Sequence, residues 1–411
     1  MMNNFYHTVI IGGGASGMCA AILLKRKLKE EKIVLLESLA RVGKKLSITG
    51  NGRCNITNSN LNFDSFHGEN SKFCHSSLIK YGYEFTEKFF NSIGVPLCSG
   101  SEGKMYPYSL QASSVVDALR FEMEKSGVET INNVNANEII HDNKFLAVLT
   151  DNGTYKCKNV IVATGSTAGG KKIGGTGDGY NILSKLGHKI IVPIESLVQL
   201  KTELNDIKAL NGIKVNATVT SFVNGKKQRA QTGEVLFTKY GISGPPVLQI
   251  SRNRLSGERI VKINFFPEKN YNEIVDMLIT RVNVLSDRIA ENFFVGLLPK
   301  MVGHTILKIC KIKLSDKVCS FDVKTCRLLA EKLYSFTLRV TQTNGPDNAQ
   351  VMSGGAFTDE FNSDTMESLI CKDVYAIGEV LDIDGDCGGY NLQWAWSSAA
   401  AAAEGIINKK S

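Results

Sequence analysis

Three glycines spaced Gly12-x-Gly14-x-x-Gly17, with Glu37 twenty residues beyond the last, are the first residues in this sequence whose types and spacing could do chemistry. Only glycine lets a backbone turn tightly and come close to a pyrophosphate, whose charge is then met by the free N–H groups of a helix N-terminus. An acid at the end of the next strand can accept both hydroxyls of a ribose and disfavours a 2′-phosphate at that place. A second group is the polar stretch GKKLSITGNGRCNITN, Gly43 to Asn58, with three glycines, three asparagines, two lysines, an arginine and a cysteine. A third follows the apolar run DVYAIGEV, where Glu379 leads into DIDGDCGGYNLQWAWSSAAAA.

The flanking segments predict the elements that must hold these residues. HTVIIGGGASGMCAAILLKRKLK reads as a buried strand His7 to Ile11, a glycine turn and a helix from about Ala15 to Lys29. KIVLLES reads as a second strand ending at Glu37, completing a β-α-β unit. From Thr130 to Gly165, short β-rich runs split by turn signals predict an antiparallel meander that returns to the parallel sheet through NVIVATGS. GTGDGYNILSKLGH reads as a loop with Asp178 capping a helix that stops at Gly187. Two strand ends facing one crevice, before Thr164 and Gly165 and before Gly378 and Glu379, are where an extended dinucleotide would lie.

Alternating patterns place a β-rich domain over residues 191–266 and 334–344. Helical periodicity predicts a helical insert over 267–333, with polar breaks near Asn283 to Asp287 and Leu314 to Asp316. Residues 1–190 and 345–411 then form the nucleotide-binding domain. At 411 residues, 43% hydrophobic and 21% charged, the chain is globular and large enough for several domains. The alanine run near the C-terminus reads as helix, alanine having the best helix propensity.

Ten cysteines scattered from Cys19 to Cys387 without a C-x-x-C pair, and no signal peptide, predict a cytoplasmic protein with reduced thiols. No run of about 18 uninterrupted apolar residues predicts a membrane span. None of the six histidines has metal-ligand spacing, so no metal is expected. The net charge of +8 reads as spread along the chain without a block, suited to anionic small ligands; a nucleic acid partner is not expected on that basis.

Taken together, VIIGGGASGMCAAI with Glu37, GKKLSITGNGRCNITN, LFTKYGISGPPVLQIS and GEVLDIDGDCGGYNLQWAWSSAAAA resemble the BaiN/RdsA-like flavoproteins, also labelled aminoacetone-oxidase-like FAD-binding enzymes, over essentially the whole chain. The resemblance implies an α/β fold with a glutathione-reductase-like, Rossmann-type FAD-binding domain built from both chain ends, interrupted by a β-rich domain and a helical insert. It also implies noncovalent FAD. The contacts it implies are Gly12, Gly14, Ala15, Ser16 and Gly17; Glu37 and Ser38; Lys45, Leu46, Gly52, Arg53, Cys54 and Asn55; Ala136, Thr164 and Gly165; and Gly378, Glu379, Gly389, Asn391 and Leu392. In this reading Cys54 is a small side chain packed near the flavin ring, since no resolving thiol is close in sequence. The helix opened by GGYNLQ turns its positive end to the flavin. Trp394 and Trp396 pack on that last helix, and the turn at Ser243, Gly244 and Pro245 has an open role.

The activity these features imply is that of an FAD-dependent oxidoreductase in which NAD(P)H visits transiently and a small apolar, enone or steroid-like substrate is reduced. A flavin-dependent oxidase of a small amine and a flavin-bearing RNA-modifying protein remain alternatives.

Overall fold

The strand Phe5–Ile11 (β1) is buried along almost its whole length and lies in the middle of a seven-stranded sheet. Continuous apolar runs of this kind suit parallel strands covered on both faces. The computed structural model describes residues 5–142, 144–205, 207–252 and 257–410. β1 pairs in parallel with Ile33–Glu37 (β2), which pairs in turn with Glu129–Asn132 (β3). On the other side lies Gly153–Val162 (β6), whose first half continues an antiparallel meander with Ala136–Asp142 (β4) and Phe145–Thr150 (β5). Its second half runs parallel to both β1 and Val374–Ala376 (β7). The ends of β2, β1, β6 and β7 therefore open on one edge of the sheet.

The helix Ala15–Lys27 (α1) follows β1 directly and carries Lys25, Arg26 and Lys27 in its last turn, with no acid in its first. That distribution favours its dipole and leaves the N-terminal N–H groups without a competing carboxylate in their own turn. It packs against the final helix Tyr390–Lys410 (α2), where Ala399 to Ala403 are buried. The alanine run thus does more than favour helix: its small side chains permit close approach. Asp178 does not cap the helix Asp178–Lys185. Gly177, left-handed at φ +77°, is its N-cap, and Asp178 is the first helical residue.

The chain divides into two compact units, residues 1–194 with 350–411, and residues 195–349. The second is a closed antiparallel barrel of six strands, in the order Leu200–Thr202, Gly241–Ser243, Lys226–Thr238, Lys214–Val223, Arg259–Asn264 and Phe336–Thr343. Helices Tyr271–Val284, Lys300–Ile309 and Val323–Tyr334 form within it, the first opened by an Asn270–Glu273 capping box. Their buried residues share one hydrophobic core with the barrel, so 195–349 is a single body in which strands and helices bury each other.

This division also changes the reading of charge. Residues 195–349 hold 23 Lys and Arg against 14 Asp and Glu, a net of +9; the remainder holds 25 against 26, a net of −1. The excess looked evenly spread only because the cationic unit is inserted in the middle of the sequence.

The closest backbone approach in the nucleotide unit generates a prediction. A Cβ on Gly17 would stand 2.0 Å from the Gly12 carbonyl oxygen. Alanine gains about 1 kcal/mol over glycine in helix propensity, whereas overpacking costs about 1–3 kcal/mol. Gly17→Ala should therefore lose up to about 2 kcal/mol in urea unfolding, the clash outweighing the propensity. An unchanged or higher midpoint would show that α1 and β1 do not need this contact.

Candidate active site

The site begins where β1 ends. Gly12 has φ +108°, and a Cβ there would lie 2.5 Å from the Ala163 carbonyl oxygen, at the end of neighbouring β6. Gly14 caps α1 without a side-chain hydrogen bond, and no protein atom lies within 4 Å of where its Cβ would stand. Ser16, in the first turn of α1 beside Ala15, meets the end of β7: a Cβ on Gly378, whose φ is +71°, would stand 2.8 Å from its hydroxyl. The glycine turn and the two other strand ends expected from the sequence thus come together.

Glu37 is buried at the end of β2. Its Oε2 accepts a hydrogen bond from the Gly13 N–H at 2.8 Å. Its Oε1 accepts one from the Leu39 N–H at 2.8 Å and a longer one from the Ser38 hydroxyl at 3.3 Å. These bonds fix the carboxylate beside the glycine turn. The backbone leading to β4 runs next to it, with Val134 N–H donating to the Glu37 carbonyl, which brings Ala136 to the same end of the site.

Further along, Lys45 Nζ lies 2.7 Å from Glu379 Oε2, both side chains being only partly exposed. Oε1 of Glu379 accepts from the Ser166 hydroxyl at 2.7 Å and the Met352 N–H at 3.1 Å. The loop lysine therefore meets the second strand-end acid, and Thr164 and Gly165 lie just before Ser166. The Thr164 hydroxyl is buried with no hydrogen-bond partner, as is Asn55 Oδ1. Gly165 has open space where a Cβ would be.

At the far end, the loop is fastened to α2. A Cβ on Gly389 would stand 2.4 Å from the Thr57 carbonyl oxygen, and Asn58 Nδ2 donates to the Gly388 carbonyl at 2.9 Å. Gln393 accepts from the Thr57 and Thr86 hydroxyls and donates to the Tyr81 carbonyl and Ser397 hydroxyl, so its buried amide is satisfied. Asn391 bonds both backbone groups of Gly385, and Leu392 packs at the edge of the main core. Trp394 and Trp396 are buried, as expected, and their indoles donate to the carbonyls of Gly378 and Ile56.

Two loop residues stand apart. Arg53 is exposed, its guanidinium 5.3 Å from the centre of the Tyr106 ring, and Gly52 is exposed at φ +80°. Leu46 is buried below the loop. The sequence reading missed His67, whose Nε2 is 2.9 Å from Asp386 Oδ1 where the strand pair Phe66–His67 and Asp384–Gly385 joins. Neither spacing nor local pattern could have found it, because 319 residues separate the partners.

A family model described as the HI0933-like protein Rossmann domain matches residues 6–405. The chain belongs to that family. Family and fold place it among Rossmann-type, FAD-dependent oxidoreductases. It is 34% identical to a Clostridium scindens protein named 3-dehydro-bile acid delta(4,6)-reductase, over 92% of this chain and 94% of that one. It is 31% identical to a Haemophilus influenzae protein named ribosomal RNA dihydrouridine synthase, over 91% and 92%. Among solved structures, 3-ketosteroid delta1-dehydrogenase from Sterolibacterium denitrificans aligns over 99% of this chain and all of its own, with TM-score 0.51 and 11% identity, a likeness of fold. Among the described residues there is no candidate metal cluster and no helix long and apolar enough to cross a membrane.

Within this HI0933-like chain all ten cysteines are free. Cys54 is wholly buried at φ +58°, and burial pushes its thiol up to about 12. At pH 8 only about one molecule in ten thousand would then carry its thiolate, the form that reacts. Iodoacetamide should accordingly label exposed Cys319 first and reach Cys54 only after unfolding. Peptide mapping that found Cys54 alkylated in the native protein as fast as Cys319 would contradict this.

Proposed function

We propose that this family member binds FAD noncovalently along the band from Glu37 to Gly389 and uses NAD(P)H to reduce a carbon–carbon double bond conjugated to a carbonyl. The observation that carries the reading is the meeting of the glycine turn, Glu37, the Lys45–Glu379 pair and the start of α2 along one sheet edge. The residues fit such a group. Space lies open over Gly14 and Gly165, the α1 N-terminus has no side-chain cap, and Asn55 and Thr164 hold buried polar atoms without protein partners.

In this reading Gly12, Gly14, Ala15, Ser16 and Gly17 hold the pyrophosphate, and Glu37 with Ser38 holds the adenosine ribose near Ala136. Lys45, Asn55, Thr164, Gly165, Gly378 and Glu379 line the rest of the cofactor, Leu46 and Cys54 pack beneath it, Gly52 and Arg53 reach it from the exposed side of the loop, and Gly389, Asn391 and Leu392 bring α2 to its ring. Bound FAD supplies two-electron hydride transfer between donor and substrate. The α2 N-terminus favours negative charge in front of it. The balance is simple: NAD(P)H loses a hydride, the substrate β-carbon gains it, and the α-carbon takes a proton. His67, partly exposed and held by Asp386, is our candidate to hold that proton.

The relatives' names support the bond class. A delta(4,6)-reductase of a 3-dehydro-bile acid and a dihydrouridine synthase both saturate a ring double bond in conjugation with a carbonyl. The steroid-like small molecule is our first choice, because the relative of that name shares the greater identity of the two.

Acid precipitation of purified protein should release FAD into the supernatant; FMN, or flavin retained in the pellet, would refute the cofactor assignment. Glu37→Ala should weaken FAD binding by about 1.5–3 kcal/mol, the scale of charged hydrogen bonds. Under anaerobic conditions NADH or NADPH should bleach the flavin, and a 3-oxo-Δ4 steroid should restore its colour. His67→Gln should keep FAD and slow only that reoxidation. Bleaching by small amines, with reoxidation by O₂ alone, would favour the oxidase instead.

A further inference from the structure

The +9 net charge of residues 195–349 is displayed in part on an ordered surface. Along the strand Lys214–Val223, Val215, Ala217, Val219 and Val223 are buried in the barrel, so Thr218, Thr220 and Phe222 line its outer side. The register sets Lys227 opposite Phe222 on one neighbouring strand and Lys262 opposite Thr220 on the other. Lys262 Nζ lies 5.1 Å from the centre of the Phe222 ring. Lys226 and Lys227 are exposed where the hairpin turns, and the hydroxyls of Thr218 and Thr232 bond across the strands at 2.7 Å.

Nearby acids are drawn to other cations, with one negative charge in excess where Glu203 and Glu258 share Arg339. Glu234 pairs with Lys214 at 2.8 Å, while Glu203 and Glu258 pair with Arg339 at 3.4 and 3.7 Å. Among the described residues neither Lys227 nor Lys262 has a carboxylate within ion-pair distance. The face thus carries uncompensated ammonium groups on both sides of a half-buried aromatic ring, set among hydroxyls, on rigid strands.

We infer that this outer sheet face is a binding surface for single-stranded nucleic acid. Lysines that flank an aromatic ring fit alternating phosphates and bases: the cations meet the backbone, and Phe222, once Lys262 leaves its ring for a phosphate, offers a platform on which an unpaired base stacks. A duplex keeps its bases stacked internally and cannot use the ring. An anionic membrane would use the lysines alone. The surface stands on the second unit's own residues and is independent of the reaction proposed for the first.

The test uses full-length, flavin-loaded protein and a fluorescein-labelled 20-nucleotide single-stranded RNA of mixed sequence, read by anisotropy at low and physiological salt. Binding should weaken steeply with salt. Lys227→Glu with Lys262→Glu should weaken it at least tenfold, and Lys227→Glu alone, which leaves the barrel face least disturbed, about threefold or more. Phe222→Ala should weaken binding of single strands more than of duplex RNA. Reversal at Lys311 and Lys313, which lie beyond helix Lys300–Ile309 and off the sheet, should change affinity less than the Lys227/Lys262 pair. Flavin content and thermal unfolding of each variant verify folding. The inference is overturned if RNA does not bind at low salt, if the control pair matters as much as the sheet pair, if inorganic polyphosphate or phosphatidylserine vesicles bind as well as RNA, or if Phe222→Ala is without effect.

Discussion

The contact between Gly17 and the Gly12 carbonyl sets how near α1 may come to β1, and the candidate site depends on that distance. Were the helix further out, its first N–H groups would leave the crevice edge, and Ser16 would lose Gly378. Because β1 sits between β2 and β6, the same approach fixes α1 relative to Glu37 on one side and Ala163 on the other. A Cβ at Gly12, Gly17 or Gly378 would meet neighbouring atoms at 2.8 Å or less. Gly14 is different. Its surroundings are open, so the demand for glycine there comes from what must pass over it rather than from the protein.

The second constraint is topological. The first 194 residues complete their sheet only with β7, and complete their helical layer only with α2, both from the last 62 residues. The closure is made of buried hydrogen bonds rather than surface charges: the Trp396 indole, the Gln393 amide and Asn58 each tie one end of the chain to backbone of the other. Such bonds are costly to break because each leaves a buried polar group unpaired. The Lys45–Glu379 pair spans the same division but is partly exposed, so it positions side chains more than it stabilises the closure.

What was legible in the sequence followed from local rules. The β-α-β unit could be read because strand period, glycine spacing and Glu37 all lie within one stretch of 37 residues. The helix of the alanine run was legible by propensity, whereas its role in close packing required its partner α1. The polar loop was legible in composition but not in direction. Left-handed backbone at Asn51 and Cys54 turns Cys54 inward and leaves Arg53 over Tyr106. No pattern of residue types specifies such a reversal. His67 and Asp386 meet only through pairing of short strands far apart in sequence, and the satisfied amide of Gln393 draws on Thr57, Tyr81 and Thr86, all some 300 residues away.

Charge was misread for a related reason: a sum has meaning only over a body, and one body here is split around the other in the sequence. Once 195–349 is recognised as one body, the cofactor unit is nearly neutral and the inserted unit strongly cationic. This distribution has a physical consequence for selectivity. A cationic crevice would attract every nucleotide in the cell with similar strength, since long-range attraction does not distinguish phosphates. In a near-neutral unit, discrimination falls to short-range features: a carboxylate fixed beside a ribose position, a backbone without side chains, and buried polar atoms awaiting partners. Those features act only at contact and demand one geometry. The near-neutrality of the cofactor unit thus leaves that geometry, rather than the unit's own net charge, to decide what the crevice holds.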